Sequence, residues 1–264
     1  MLQVRHLVKY FGGVKAVDGV SFEVHAGECV ALIGPNGAGK STCFACIAGQ
    51  HRPTGGEVLW AGRHIDALAP AQRLARGVAR TFQVAQTFEA LTVLQNLQLA
   101  VTARLGLPAW NELDRVMVGA AGQLLARIDL QSLAHADVLG LPYGAKKRLE
   151  LGIALAGLGE AAPAASHAQA NDAPTPRLLL LDEPAAGLAE PERVALMQLV
   201  RSLAAEGLAV LYTEHNMDAV FGVADRVLVL IEGRLAAQGT PLDIARHSEV
   251  RSRYLGHAFD ADRP

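Results

Sequence analysis

The sequence predicts an α/β fold in which buried parallel strands end at a phosphate-binding loop. Three observations carry that prediction. The apolar run CVALI, Cys29 to Ile33, leads into GPNGAGKST and then into a helical stretch from Ser41. The four leucines of RLLLLDEP close on the acids Asp182 and Glu183. LAVLYTEH closes on Thr213, Glu214 and His215. Short, continuous apolar runs bounded by turn residues are the pattern of strands covered on both faces of a sheet.

The first of these elements decides the chemistry. From Gly34 to Ser41 the loop fits G-x-x-x-x-G-K-S/T in full. Its glycines let backbone amides turn inward around a phosphate, and the helix that follows points its positive end at the same place. Lys40 neutralises the β- and γ-phosphates, and the Ser41 hydroxyl ligates magnesium. Asn36, Gly37, Ala38, Gly39 and Thr42 complete the phosphate cradle.

A phosphate-binding loop of this kind needs an acid for the metal, and the second strand supplies it. Asp182 is placed to hold magnesium, directly or through water. Glu183, one residue on, points away from the strand and polarises the attacking water as general base. At the end of the third strand, His215 is placed to touch the γ-phosphate or that water.

Size and composition bound the rest. With 264 residues the chain has room for one core and a smaller appendage. At 51% apolar and 19% charged it has the make-up of a packed soluble protein. A net charge of −2 gives no electrostatic reason to expect nucleic acid as a partner. No uncharged apolar run reaches the roughly 18–20 residues of a membrane span, and MLQVRHLVKYFGG carries no apolar signal segment, so the chain is expected in the cytoplasm. Cys29, Cys43 and Cys46 are too few for a disulfide framework and lack a second pair for zinc, so they are expected as buried reduced thiols.

Taken in order, the phosphate loop, GVARTFQ, LPYGAKK, LLLLDEP, AAGLAEPE and TEH resemble the ATP-binding subunit of ABC transporters over nearly the whole chain. FGGVKAVDGVSFEV, GVARTFQ and VRSRYLG are most similar to the LivG type, from branched-chain amino acid importers. The resemblance implies a single ABC ATPase domain: a P-loop NTPase core (1–91 and 177–240), an N-terminal antiparallel β subdomain, an inserted α-helical subdomain (92–157) and a C-terminal tail (241–264). TVLQNLQLAVTARL and VGAAGQLLARIDL, with apolar residues at helical spacing, fit that helical subdomain. Residues 158–177, rich in Ala and Pro, are expected as a flexible insertion, because nothing there buries enough area to offset ordering it.

The resemblance also implies roles. Phe11, or in its place Tyr10, stacks on adenine, with Val17 in the same ATP site. Gln83 ligates magnesium and links the nucleotide to the membrane-facing region. Glu183 is the catalytic glutamate and His215 the switch histidine. Leu141, Pro142, Tyr143, Gly144 and Ala145 form a signature that completes the ATP site of a second subunit, with Pro142 at the first helical position. Pro142 and Ala145 stand where the commonest form has serine and glutamine, and Ala189 where many relatives have an acid or amide. The implied activity is hydrolysis of ATP with Mg2+ to ADP and phosphate. The implied partners are a second ATPase subunit, identical or not, two integral-membrane permease subunits and, indirectly, a solute-binding protein. The implied place is the cytoplasmic face of the inner membrane, held peripherally. Branched-chain amino acids lead as solute, with urea and short amides open, and a soluble ABC ATPase outside transport is a further alternative.

Overall fold

The computed structural model describes residues 1–107, 117–160 and 176–255. Two sheets share the core. β1 (Leu2–Phe11), β2 (Val14–Val24), β4 (Gly55–Trp60) and β5 (Arg63–His64) form an antiparallel sheet in the order β2-β1-β4-β5. In β2 the residues Val20, Phe22 and Val24 are buried while Ser21 and Glu23 are exposed, the alternation of a strand with one wet face.

The second sheet is built from β3 (Cys29–Ile33), β6 (Val78–Arg80), β7 (Leu178–Asp182), β8 (Ala209–Thr213), β9 (Arg226–Ile231) and β10 (Arg234–Gly239). Its order is β10-β9-β3-β8-β7-β6, and all pairs are parallel except β10 with β9. Every residue of β3 and β8 is buried, as the continuous apolar runs require. Register fixes the site. Thr213 lies beside Leu32 on one flank and Asp182 on the other, so β3, β7 and β8 end together. Ligands of open α/β sheets gather at this carboxyl edge.

Helices pack around that frame. α1 (Lys40–Ala48) follows the phosphate loop and ends at Gly49, whose φ of 85° closes the last turn. After α2 (Pro70–Leu74), α3 (Val93–Arg104) starts at a capping box in which Gln95 N–H donates to Thr92 Oγ1 at 3.2 Å and Thr92 N–H to Gln95 Oε1 at 3.0 Å. With α4 (Val118–Arg127) and α5 (Tyr143–Gly157) it forms a helical layer, and α3 and α4 carry the segments whose spacing predicts helices. Gly152 sets how close these helices come: a Cβ there would lie 2.7 Å from Ile128 Cδ1 and 3.0 Å from Leu97 Cδ2. The chain continues through α6 (Glu190–Ala205), α7 (Met217–Phe221), α8 (Pro241–Arg246) and α9 (Ser248–Val250).

Two expectations need correction in detail. Pro142 is the N-cap of α5 and not its first helical residue: its ψ of 149° is extended, and its carbonyl accepts the first intrahelical bond from Lys146 N–H at 3.1 Å. Glu160 is not part of a solvated loop, because its side chain is 8% exposed and pairs with Arg127 and Arg177. The rest of the expected insertion, 161–175, lies outside the described residues. The three cysteines are buried and reduced as expected, and burial pushes the Cys46 thiol up to about 11. Among the described residues no helix is long and apolar enough to cross a membrane.

Candidate active site

The phosphate loop is built on two glycines that no other residue replaces. Gly34 has φ +148° and Gly39 φ +97°, and a Cβ on either would lie 2.1 Å from a backbone oxygen, of Leu230 and Ala16 respectively. Lys40 is 7% exposed and its ammonium donates to the carbonyls of Gly34 at 2.7 Å and Pro35 at 3.0 Å. Burial lowers its pKa, and the charge of Glu183 opposes that shift. A buried cation paired with neutral carbonyls is poised for an anion. Ser41, the next residue, is exposed beside it.

At the ends of β6, β7 and β8 six residues interlock. Asp182 accepts from Arg80 at 2.6 Å and from Thr213 Oγ1 at 2.9 Å. The same Thr213 oxygen accepts from Glu183 N–H at 3.0 Å. Glu183 has a left-handed φ of 48°, unusual for a non-glycine residue, which turns its side chain out of the strand. Its carboxylate is then held at both oxygens, by His215 Nε2 at 2.8 Å and by Gln83 Nε2 at 3.0 Å. Glu183, His215 and Gln83, far apart in sequence, are thus brought into one cluster.

Residues outside the sequence-based set support it. Arg80 lies between the rings of Phe44 and Phe82, 5.2 and 5.3 Å from their centroids, and so presents its guanidinium to Asp182. Glu214 is 3% exposed and accepts from the amides of Ala185 at 2.8 Å and His215 at 3.1 Å, joining the turn after Glu183 to the histidine. Burial raises its pKa and those amide bonds oppose the rise. An acid between two strand-end residues is the only sequence signal for Glu214, and Arg80 had none.

The remaining expected residues sit elsewhere. Phe11 is 45% exposed, edge-on to His51 at 5.3 Å, while Tyr10 faces Lys15. Val17 is fully buried in the core beneath the loop and offers no surface to a nucleotide. Gly144 lies against its own chain's Glu192, whose carboxylate oxygen would be 2.6 Å from a Cβ at that position. Tyr143 packs on Gly187 in the turn before α6, where Ala189 is the N-cap of that helix. Among the described residues no hydrogen bond joins 141–145 to 34–42.

The residues present fit magnesium. Ser41 hydroxyl, Asp182 carboxylate and Gln83 amide are all hard oxygen donors, and among the described residues no group of three His, Cys, Asp or Glu forms a protein cage for a metal. An ion held by one or two protein oxygens and by phosphate needs no such cage. Beside the cluster runs a groove of about 280 Å³ between α2, β6 and α5, lined by Ala71, Leu74, Phe82, Gln86, Glu150 and Ile153 among others.

Known proteins share this architecture. A family described as ABC transporter matches residues 17–158. The chain is 37% identical to the high-affinity branched-chain amino acid transport ATP-binding protein LivG of Salmonella typhimurium, covering 98% of each chain. It is 36% identical, with the same coverage, to BraF of Pseudomonas aeruginosa, which bears the same description. Among solved structures it is similar to the ADP conformation of an ATP-binding cassette of an ABC transporter, with TM-score 0.81, 28% identity and coverage of 97% of this chain and 99% of that one. A nucleotide-free cassette gives TM-score 0.77 at 28% identity over 98% and 96%. With a phosphate loop, a strand-end acid pair and a histidine in one cluster, and relatives matched end to end, this chain belongs to the ABC transporter family as an ATP-binding, ATP-hydrolysing subunit.

Proposed function

We propose that this subunit energises import of branched-chain or closely related amino acids, working as a dimer beneath two permease subunits at the cytoplasmic face of the membrane. The observation that supports it most is the Glu183 carboxylate, fixed at both oxygens by Gln83 and His215 at the sheet edge that bears the phosphate loop. The solute rests on the end-to-end likeness to LivG and BraF, whose names state branched-chain amino acid transport.

In this reading the loop amides and Lys40 bind the triphosphate, with Phe11 or Tyr10 against the adenine face. Glu183 accepts a proton from the attacking water through a carboxylate oxygen. His215 holds the other oxygen and orients the γ-phosphate. Ser41, Asp182 and Gln83 would hold magnesium, which, when bound, neutralises charge on the β- and γ-oxygens. Arg80 and Thr213 hold the Asp182 carboxylate in place for that role. The second copy contributes the start of α5: with Pro142 as N-cap, the amides of Tyr143, Gly144 and Ala145 have no acceptor inside the helix and face the partner's γ-phosphate. The permeases dock in the groove beside Phe82 and Gln86, and a binding protein delivers solute from the other side.

Reconstitution with a pair of permease subunits and a solute-binding protein tests this. Uptake of labelled leucine driven by ATP is expected. Uptake of urea or a short amide without leucine would reassign the solute, and ATPase activity with no membrane association would remove the transport role.

A further inference from the structure

A buried ion pair on α5 grips the backbone that carries Gln83. Lys147 and Glu150, at i and i+3, have side chains 2% and 5% exposed and lie 3.8 Å apart. Most of their bonding goes elsewhere. Lys147 Nζ donates to the carbonyls of Phe82 at 2.9 Å and Gln83 at 2.7 Å. Glu150 Oε1 accepts from the amides of Phe82 at 2.8 Å and Gln86 at 3.4 Å. Tyr143, one turn earlier, donates its hydroxyl to the Gln83 carbonyl at 3.3 Å.

Backbone at 82–86 lies past the end of β6 and has no strand to satisfy it, so the side chains of α5 do so. Two charges at this depth are costly unless fully bonded. Burial pulls Lys147 down and Glu150 up, and each opposes the other's shift. An apolar pair would leave the backbone groups of Phe82 and Gln83 without these partners. What the pair fixes is the residue whose amide holds Glu183 Oε2 at 3.0 Å.

We infer that Lys147 and Glu150 are positioning residues for hydrolysis, clamping the 82–86 segment so that Gln83 orients the Glu183 carboxylate. The inference rests on the roles proposed above for Gln83 and Glu183, and deepens them. Released from Gln83, the carboxylate keeps only its His215 contact and rotates away from the line of attack. The phosphate loop and Lys40, to which most of the nucleotide's affinity is assigned, are not part of the clamp.

A fluorophore on Val84→Cys in the full chain reports the motion of the segment, since Val84 is 66% exposed whereas the native thiols are buried. Lys147→Met, Lys147→Arg and the double variant Lys147→Met/Glu150→Met are compared with it. The double variant leaves no unpaired buried charge, so it decides the matter should Lys147→Met not fold. Lys147→Met is expected to lower kcat by about tenfold to a hundredfold, as misplacement of a reacting group does. It should leave ATP affinity within about twofold and reduce fluorophore anisotropy, and Lys147→Arg should restore most of both. Unchanged kcat, with or without a change in anisotropy, overturns the inference. So does a parallel loss of kcat, ATP affinity and melting temperature, which marks a purely structural pair. A Glu183→Gln control separates the two levels: full hydrolysis there removes the catalytic assignment, while the anisotropy still shows whether the clamp holds the segment.

Discussion

Glu183 combines a conformational cost with a chemical purpose. A left-handed backbone at a non-glycine residue costs on the order of 1–3 kcal/mol, and here Thr213 offsets it by accepting the Glu183 N–H while donating to Asp182. Thr213→Val keeps the shape and removes that oxygen. It should cost about 1–3 kcal/mol of stability and lower phosphate release, read by thermal melting and a coupled assay. Lys40 carries binding. Lys40→Ala removes a charge meeting two phosphates, and at roughly 1.5–3 kcal/mol per charge-assisted bond the affinity for ATP should fall at least about tenfold in a titration. Unchanged affinity would contradict the loop's assignment. Lys40 was legible in the sequence because it completes the phosphate-loop pattern, and Asp182, Glu183 and His215 because each sits where an apolar strand stops. Arg80 was not, because its partner Asp182 is 102 residues away and meets it only through the pairing of β6 with β7. Val17 shows the converse: nearness to the site in a sequence pattern says nothing of which way a strand residue faces.

Helix α5 has two roles: its N-terminal amides are proposed to meet the partner's phosphate, and its buried flank holds the 82–86 segment. Glycine at 144 serves the first. Gly144→Asp would place a carboxylate against Glu192 and at the amides proposed to meet the partner's phosphate, so it should abolish steady-state hydrolysis yet leave ATP binding by the monomer within about twofold, the phosphate loop being untouched. Full hydrolysis in that variant would mean that this helix start completes no site. The sequence showed where α5 begins to within one residue, since Pro and Gly punctuate it. It did not show the Lys147–Glu150 clamp, because opposite charges at i and i+3 are as common on solvated helix faces as on buried ones. The insertion is bounded by packing: replacing 161–175 with four or five residues, keeping Glu160 and Arg177, should leave melting temperature and hydrolysis nearly unchanged, as closure entropy varies slowly with loop length.

At the scale of the molecule, two sheets and a helical layer bring β3, β7 and β8 to a common edge, and the phosphate loop, Asp182, Glu183 and His215 follow from it. The overall plan was readable in the order of the motifs, because the phosphate loop, LLLLDEP and TEH are each tied to a strand end and parallel strands place their ends together. The groove was not, since it arises from α2, β6 and α5 meeting in space. Glu183 as general base is the claim on which binding, dimer closure and turnover all converge, and Glu183→Gln tests it most directly, with phosphate release and oligomeric state measured in the same ATP-saturated sample. The amide fills the same space but accepts no proton. The variant is therefore expected to bind ATP with wild-type affinity, accumulate as a dimer and release no phosphate above background. Release at the wild-type rate would contradict the assignment and with it the mechanism built on this cluster.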